Sequence, residues 1–259
     1  MTHHVFQTGE GRRLGITGLG EPLATQVVVL CHTAPGSSGF DPDPVASVAS
    51  KLRIVGIDRP GYGASDRYVG EPRLDQWTDD VGEYVGRIEP MAEHSTGIDV
   101  HVVGAIGIGH GCFFAAALAA AHPDTIRHLV LVAPTLPLHR SDPQLDPALA
   151  ADGRIDPMSG LLDRRQPALD AADGYGAAAD HLLLADAGWS HRVHAARAHA
   201  DLYVGDSPDD ATAARWWSRH LRHGAVHHGF GTGIGMVSAV WASALDSFEG
   251  ALTAEDSPR

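Results

Sequence analysis

The chain has 259 residues, enough for one large α/β domain or two small ones. Its 44% hydrophobic and 20% charged content is that of an ordinary globular protein, and a net charge of −13 with one lysine, Lys51, argues against a nucleic-acid partner. The longest apolar run, Cys112 to Ala121, falls short of the ~20 residues that a bilayer span needs, so no membrane partner is expected.

"MTHHVFQ" has no basic region leading into an apolar one, which predicts no signal peptide. Residues 4–8 and 12–18 predict a hairpin around "TGEG". "TQVVVLCH" predicts a buried strand, followed by a helix near 42–51, the strand "LRIVGID" and a helix near 74–93. "IDVHVVGAI" is the next strand; it runs into a glycine-dense turn and an alanine-rich helix at 111–121. "RHLVLVAP" follows as a strand. Residues 135–195 then break the rhythm: a Pro- and Asp-rich stretch without strand character leads into a weakly helical one. Leu161, Leu162, Leu182, Leu183, Leu184 and Trp189 need burial there, which predicts a cap over the C-terminal edge of the sheet. "ADLYVG", a helix near 210–221, "GAVHHG" and a helix near 234–252 complete the order. Continuous Val/Ile/Leu strands alternating with helices mean a mostly parallel sheet covered on both faces. The expected organisation is a core in two parts, 1–134 and 196–259, interrupted by a cap insertion at 135–195.

The motifs resemble those of the α/β-hydrolase superfamily over nearly the whole chain. "GIDRPGYGASD", residues 56–66, matches its Asp-x-x-Gly-x-Gly-x-Ser motif, and "AHPDTIRHLVLVAP" looks like the end of its elbow helix and the next strand. "VVVLCHTAPGSSGFDPDP" looks like its oxyanion strand and loop, with His32-Thr33 where the family usually has His-Gly. The resemblance implies a serine in Gly-x-Ser-x-Gly, a histidine that takes its proton and a carboxylate that fixes the histidine tautomer. Here all three slots depart from the pattern. Helix length puts the nucleophile slot at Gly109, within Gly107-Ile108-Gly109-His110-Gly111; a register counted from the strand puts it at Ile106. Neither residue carries an oxygen or sulfur nucleophile. The histidine slot falls on Thr232, with His227 and His228 upstream, and the acid slot on Pro208, with Asp209 one place late.

Competing chemistries find less support. Gly107-x-Gly109-x-Gly111 lacks the third Rossmann glycine, and the absence of a suitable lysine excludes a phosphate loop, so no nucleotide cofactor is expected. Cys31 and Cys112 lack metal or redox spacing and read as reduced thiols of a cytoplasmic protein; Cys112 reads as a small core residue. "HRVHAARAH" places His191, His194 and His199 close in sequence without zinc spacing, so a solvated helix face is expected and no metal.

His110 follows the nucleophile slot, so its backbone N–H is an oxyanion donor by the resemblance, and the helix start favours a neutral ring. His32 on the opposite wall reads as structural first. His110, His228 and Asp209 are the catalytic candidates; His32, Thr33, His110, Phe40 and Trp189 are the expected substrate-binding or oxyanion residues. Neutral imidazoles around a pocket without a nucleophile suit proton transfer better than acyl transfer. The expectation is a cofactor-free acid/base enzyme of cyclase, isomerase or lyase type that acts on a small, largely apolar molecule. A catalytically inactive ligand- or partner-binding protein, or a hydrolase using displaced residues (Cys112 or a serine of "PGSSG", with Asp209 and His228), are the alternatives.

Overall fold

The computed structural model of the chain describes residues 1–140, 142 and 174–255. The strands are β1 (Thr2–Gln7), β2 (Arg13–Gly20), β3 (Gln26–Cys31), β4 (Leu52–Ile57), β5 (His101–Ile108), β6 (His128–Val132), β7 (His199–Tyr203) and β8 (Gly224–His227). They form one sheet in the order β1-β2-β4-β3-β5-β6-β7-β8. β1 and β2 are antiparallel and form the edge hairpin; the remaining pairings from β4 to β8 are parallel.

The helices are α1 (Pro44–Ala49), α2 (Leu74–Thr96), α3 (Gly111–Ala121), α4 (Tyr175–Leu184), α5 (Trp189–Ala195), α6 (Pro208–His220) and α7 (Gly233–Glu255). The period-2 geometry of a strand divides the core between them. In β3, Val27, Val29 and Cys31 face the α2, α3 and α6 side, whereas Val28 and Leu30 face the α7 side. That explains the unbroken apolar run: both faces are covered. α3 is buried from Gly111 to Ala119 and is apolar all round, as a helix enclosed by the core must be.

β5 extends two residues beyond the expected strand. It runs through Gly107 because α3 passes so close that a Cβ there would lie 2.4 Å from the Cys112 Cα. The glycine density is partly a packing requirement of the strand, and the turn itself is only Gly109-His110.

Of the expected cap, 135–140, 142 and 174–195 are described, and Leu161 and Leu162 lie outside the described residues. α4 and α5 bury Leu183, Leu184, Trp189 and Val193 against the α3 side, while Leu182 is exposed. Trp189 packs at a tilt against Phe113 with ring centroids 4.9 Å apart, and its indole N–H donates to the Leu183 carbonyl at 2.8 Å. Cap and core thus share one apolar cluster. His199 departs from the expected helix face: it lies in β7 and stacks on His128, with His191 and His194 exposed on α5.

Candidate functional site

At the C-terminal end of β5 the chain turns sharply into α3. Gly109 takes φ +57, the left-handed region that glycine enters at little cost, and its N–H donates to the Val132 carbonyl at 2.9 Å. Ile106 lies inside β5, fully buried on the α7 side. Of the two candidate positions, Gly109 is the one that lies in the turn itself. The loop after β3 closes over it. A Cβ built on Gly109 would lie 2.6 Å from the Thr33 hydroxyl oxygen, so the threonine occupies space that a side chain at 109 would need.

His32 is completely buried. Its Nε2 accepts the Arg59 backbone N–H at 3.3 Å, so the proton sits on Nδ1, which donates to the Thr33 carbonyl at 2.7 Å. Burial first, then the Arg59 charge, holds its pKa well below the ordinary histidine value. Both ring nitrogens are engaged within the protein, which makes His32 a support for the loop.

Arg59 was not singled out by sequence reasoning, yet it organises this wall. Its guanidinium is fully buried and donates to the His32 carbonyl at 2.5 Å and the Thr33 carbonyl at 3.1 Å. It also grips Asp180 of α4, with Nη2 to Oδ2 at 2.7 Å and Nε to the carboxylate at 3.0 and 3.1 Å. The Tyr62 hydroxyl donates to the same carboxylate at 2.8 Å. A buried pair is tolerable only when its remaining hydrogen-bonding capacity is met, as it is here. The pair ties the cap to the oxyanion loop. Its one sequence signal is an isolated Asp180-His181 inside an otherwise apolar helical stretch.

His110 is half-buried at the start of α3. Burial first, then the Arg59 charge, pushes its pKa down to about 4 against the opposing effect of the Ala34 backbone. The ring is therefore neutral at neutral pH. His181, next to Asp180, lies within electrostatic range of it. His181 is buried, and its Nδ1 has no hydrogen-bond partner among the described residues. It lines a cavity of 1120 Å³ between α4, α5 and α6, together with Leu183, Trp189, Trp216 and Pro137. Phe40 is away from this wall, in the core on the α7 side.

The other expected site residues are dispersed. Thr232 and His228 are exposed beyond the end of β8. Pro208 and Asp209 are exposed in the first turn of α6. That turn is held by a capping box in which Ser207 donates to Asp210 at 2.6 Å and accepts its N–H at 3.1 Å, while Asp206 accepts the Gly231 N–H at 3.0 Å. His227 turns to Asp201, 2.8 Å away, and His128 lies 3.1 Å from the same carboxylate. No contact among the described residues joins His228 or Asp209 to His110.

Two of the alternative nucleophiles, Cys112 and Ser38, are engaged elsewhere. The buried Cys112 thiol donates to the Gly107 carbonyl at 3.3 Å, and burial raises its pKa well above the usual thiol value. Ser38 is buried against Thr17, with 2.7 Å between the hydroxyls. Among the described residues, no three or more His, Cys, Asp or Glu side chains are grouped so as to hold a metal ion, and no helix is long and apolar enough to cross a membrane.

A family model described as alpha/beta hydrolase fold matches residues 26–164. No curated protein matches the chain significantly. Among solved structures, a hydrolase from Pseudomonas aeruginosa PA01 aligns at 17% identity over 96% of this chain and 98% of its own, with TM-score 0.71. An esterase from Exiguobacterium antarcticum aligns at 14% identity over 97% and 100%, with TM-score 0.75. An enol-lactonase from Burkholderia xenovorans LB400 aligns at 17% identity over 95% and 100%, with TM-score 0.68. At such identities these likenesses speak for the fold.

Proposed function

The chain belongs to the alpha/beta hydrolase fold family, and from that premise we propose that it is a non-hydrolytic member: a cofactor-free protein that takes a small, largely apolar molecule beneath its cap and transfers protons on it. The observation that carries the reading is the elbow itself. The slot that holds a nucleophile in the hydrolytic members is Gly109, and the Thr33 hydroxyl stands in the space beside it. Acyl transfer through a covalent intermediate needs a nucleophile, a base that takes its proton and a carboxylate behind that base. Here the elbow lacks the first, and the exposed Thr232, His228 and Asp209 do not supply the others.

The groups near the elbow suit different chemistry. A neutral His110 ring can hydrogen-bond to a developing enolate without carrying charge, as an uncharged imidazole polarises a carbonyl. His181, within electrostatic range of His110, offers a buried Nδ1 that has no hydrogen-bond partner among the described residues. Both act on a substrate with an acidic C–H beside a carbonyl, which is the chemistry of isomerases, cyclases and lyases. Leu183, Trp189 and Trp216 give one side of the cavity an apolar, aromatic surface suited to ring-containing molecules, with Glu71, Arg140 and Asp186 also in its lining.

The test is deuterium incorporation next to the carbonyl of simple cyclic ketones in D2O, followed by NMR. Exchange above the buffer rate, lost in His110→Gln and in His181→Gln, is the expected result. Ketones that bind and raise the melting temperature without exchange would overturn catalysis and leave a ligand-binding protein. That second reading has one observation in its favour: a pKa near 4 makes His110 a weak base.

A further inference from the structure

A second cavity, of 740 Å³, lies at the opposite end of the sheet from Gly109, between the β1–β2 hairpin, the start of β4 and the C-terminal half of α2. Its origin is visible in the strand register. Directly paired residues share a face of the sheet, and on the face toward α2 Gly18 pairs with Val55 and Gly20 with Arg53. Gly18 carries no side chain there, and the paired Thr2 reaches the space beside it with its hydroxyl, so the floor stays low beneath α2. Ile16, Val55, Tyr84 and Ile88 give the walls an apolar character.

The charge around this cavity runs against that of the whole molecule. The chain holds 32 acidic and 19 basic residues, yet the lining includes Arg53, Arg87, His4 and His94 and no carboxylate. Arg87 is already engaged: it donates to Glu83 at 2.6 Å and lies over the Phe6 ring. Arg53 is half-buried, paired within the sheet through its backbone, and its guanidinium makes no hydrogen bond or ion pair among the described residues. Its charge reaches into the cavity: after burial, it is the next influence that lowers the pKa of His4, and it opposes the burial that pushes Tyr84 up to about 12. A guanidinium drawn partly out of water without an anion is costly, and a bound carboxylate relieves that cost with two charge-assisted hydrogen bonds.

We propose that this cavity binds a small amphiphilic carboxylate, with its acid group on Arg53 and its hydrocarbon portion along Ile16, Val55 and Ile88. The site is independent of the elbow and of any reaction there. Calorimetric titration of the full chain with sodium decanoate, kept below its micelle concentration, tests it. One decanoate per chain is expected, with affinity weakened about tenfold or more in Arg53→Gln, largely retained in Arg53→Lys, and at least tenfold weaker for 1-decanol. Melting curves establish that the variants are folded, and the decanoate–decanol comparison on the unaltered chain stands if Arg53→Gln is not. Absence of decanoate binding, equal binding by folded Arg53→Gln, or decanol binding as tightly as decanoate would overturn the proposal. Capture by phosphatidylglycerol vesicles without binding of monomeric decanoate would assign the surface to a membrane and overturn it equally.

Discussion

Two residues define the elbow, and they exclude each other. Gly109 holds a left-handed φ that costs a side-chain-bearing residue about 1–3 kcal/mol, and Thr33 stands where its Cβ would project. Gly109→Ala should therefore destabilise the fold by about that amount in chemical denaturation. Combined with Thr33→Gly it should recover the steric part and leave the backbone part, giving a coupling energy of about 0.5 kcal/mol or more. Strict additivity would show that Thr33 does not fill the slot. That neither Gly109 nor Ile106 carries an oxygen or sulfur nucleophile was legible in the sequence, since it follows from residue identity. The role of Thr33 was not, because it depends on where the loop after β3 sits in space. The imidazoles make a second prediction, about pH. His110 and His32 have folded pKa values below the unfolded one, and His4 is lowered too, so the unfolded chain binds more protons between about pH 4 and 6.5. Stability should be full above pH 6.5 and fall as pH drops through this window, by up to about 1.4 kcal/mol per pH unit for each such group. Asp66, Asp75 and Asp186, whose pKa values are lowered, act below it. His110→Gln should flatten the slope; an unchanged slope would show that His110 titrates alike in both states.

At the scale of elements, α4 is joined to the loop after β3 by a buried ion pair. Asp180 draws this helix onto the loop after β3 through Arg59, with Tyr62 as a third partner. Removing one partner of a buried pair leaves the other charge unmatched, at a cost of about 3–5 kcal/mol. Asp180→Asn should accordingly destabilise the protein by about 3 kcal/mol in denaturant titration and speed proteolytic cleavage within 174–195. A change under 1 kcal/mol would mean that the pair does not hold the cap. Regular elements were readable from sequence: every expected strand and core helix is present within a few residues, because apolar period and turn residues agree locally. The contact between Arg59 and Asp180 was not readable. It joins residues 121 apart, and neither lies in a motif that announces a partner. The expected meeting of His110, His228 and Asp209 rested on slot positions alone. In the structure β8 ends at His227, whose ring is held by Asp201, and the first turn of α6 uses Asp210 rather than Asp209 for its cap.

Taken as a whole, the molecule has the alpha/beta hydrolase fold, with a sharp turn at Gly109 between β5 and α3. Arg59, His32 and Asp180 secure the wall beside the β5–α3 turn, where Thr33 stands against Gly109 and His110 begins α3. The buried, protonated Cys112 and the inward Ser38 leave the displaced-nucleophile alternative without a reactive group at those positions. The central claim, that no covalent acyl-enzyme forms, is tested most directly by incubating the folded chain with a fluorophosphonate probe and reading its intact mass. The account predicts the unmodified mass, together with no more than trace turnover of p-nitrophenyl acetate, since donors without a nucleophile leave only about 10³–10⁴-fold catalysis over water. A stoichiometric adduct, mapped to Thr33, Ser37 or any other hydroxyl or thiol, would contradict it and return the protein to the hydrolytic members of its family.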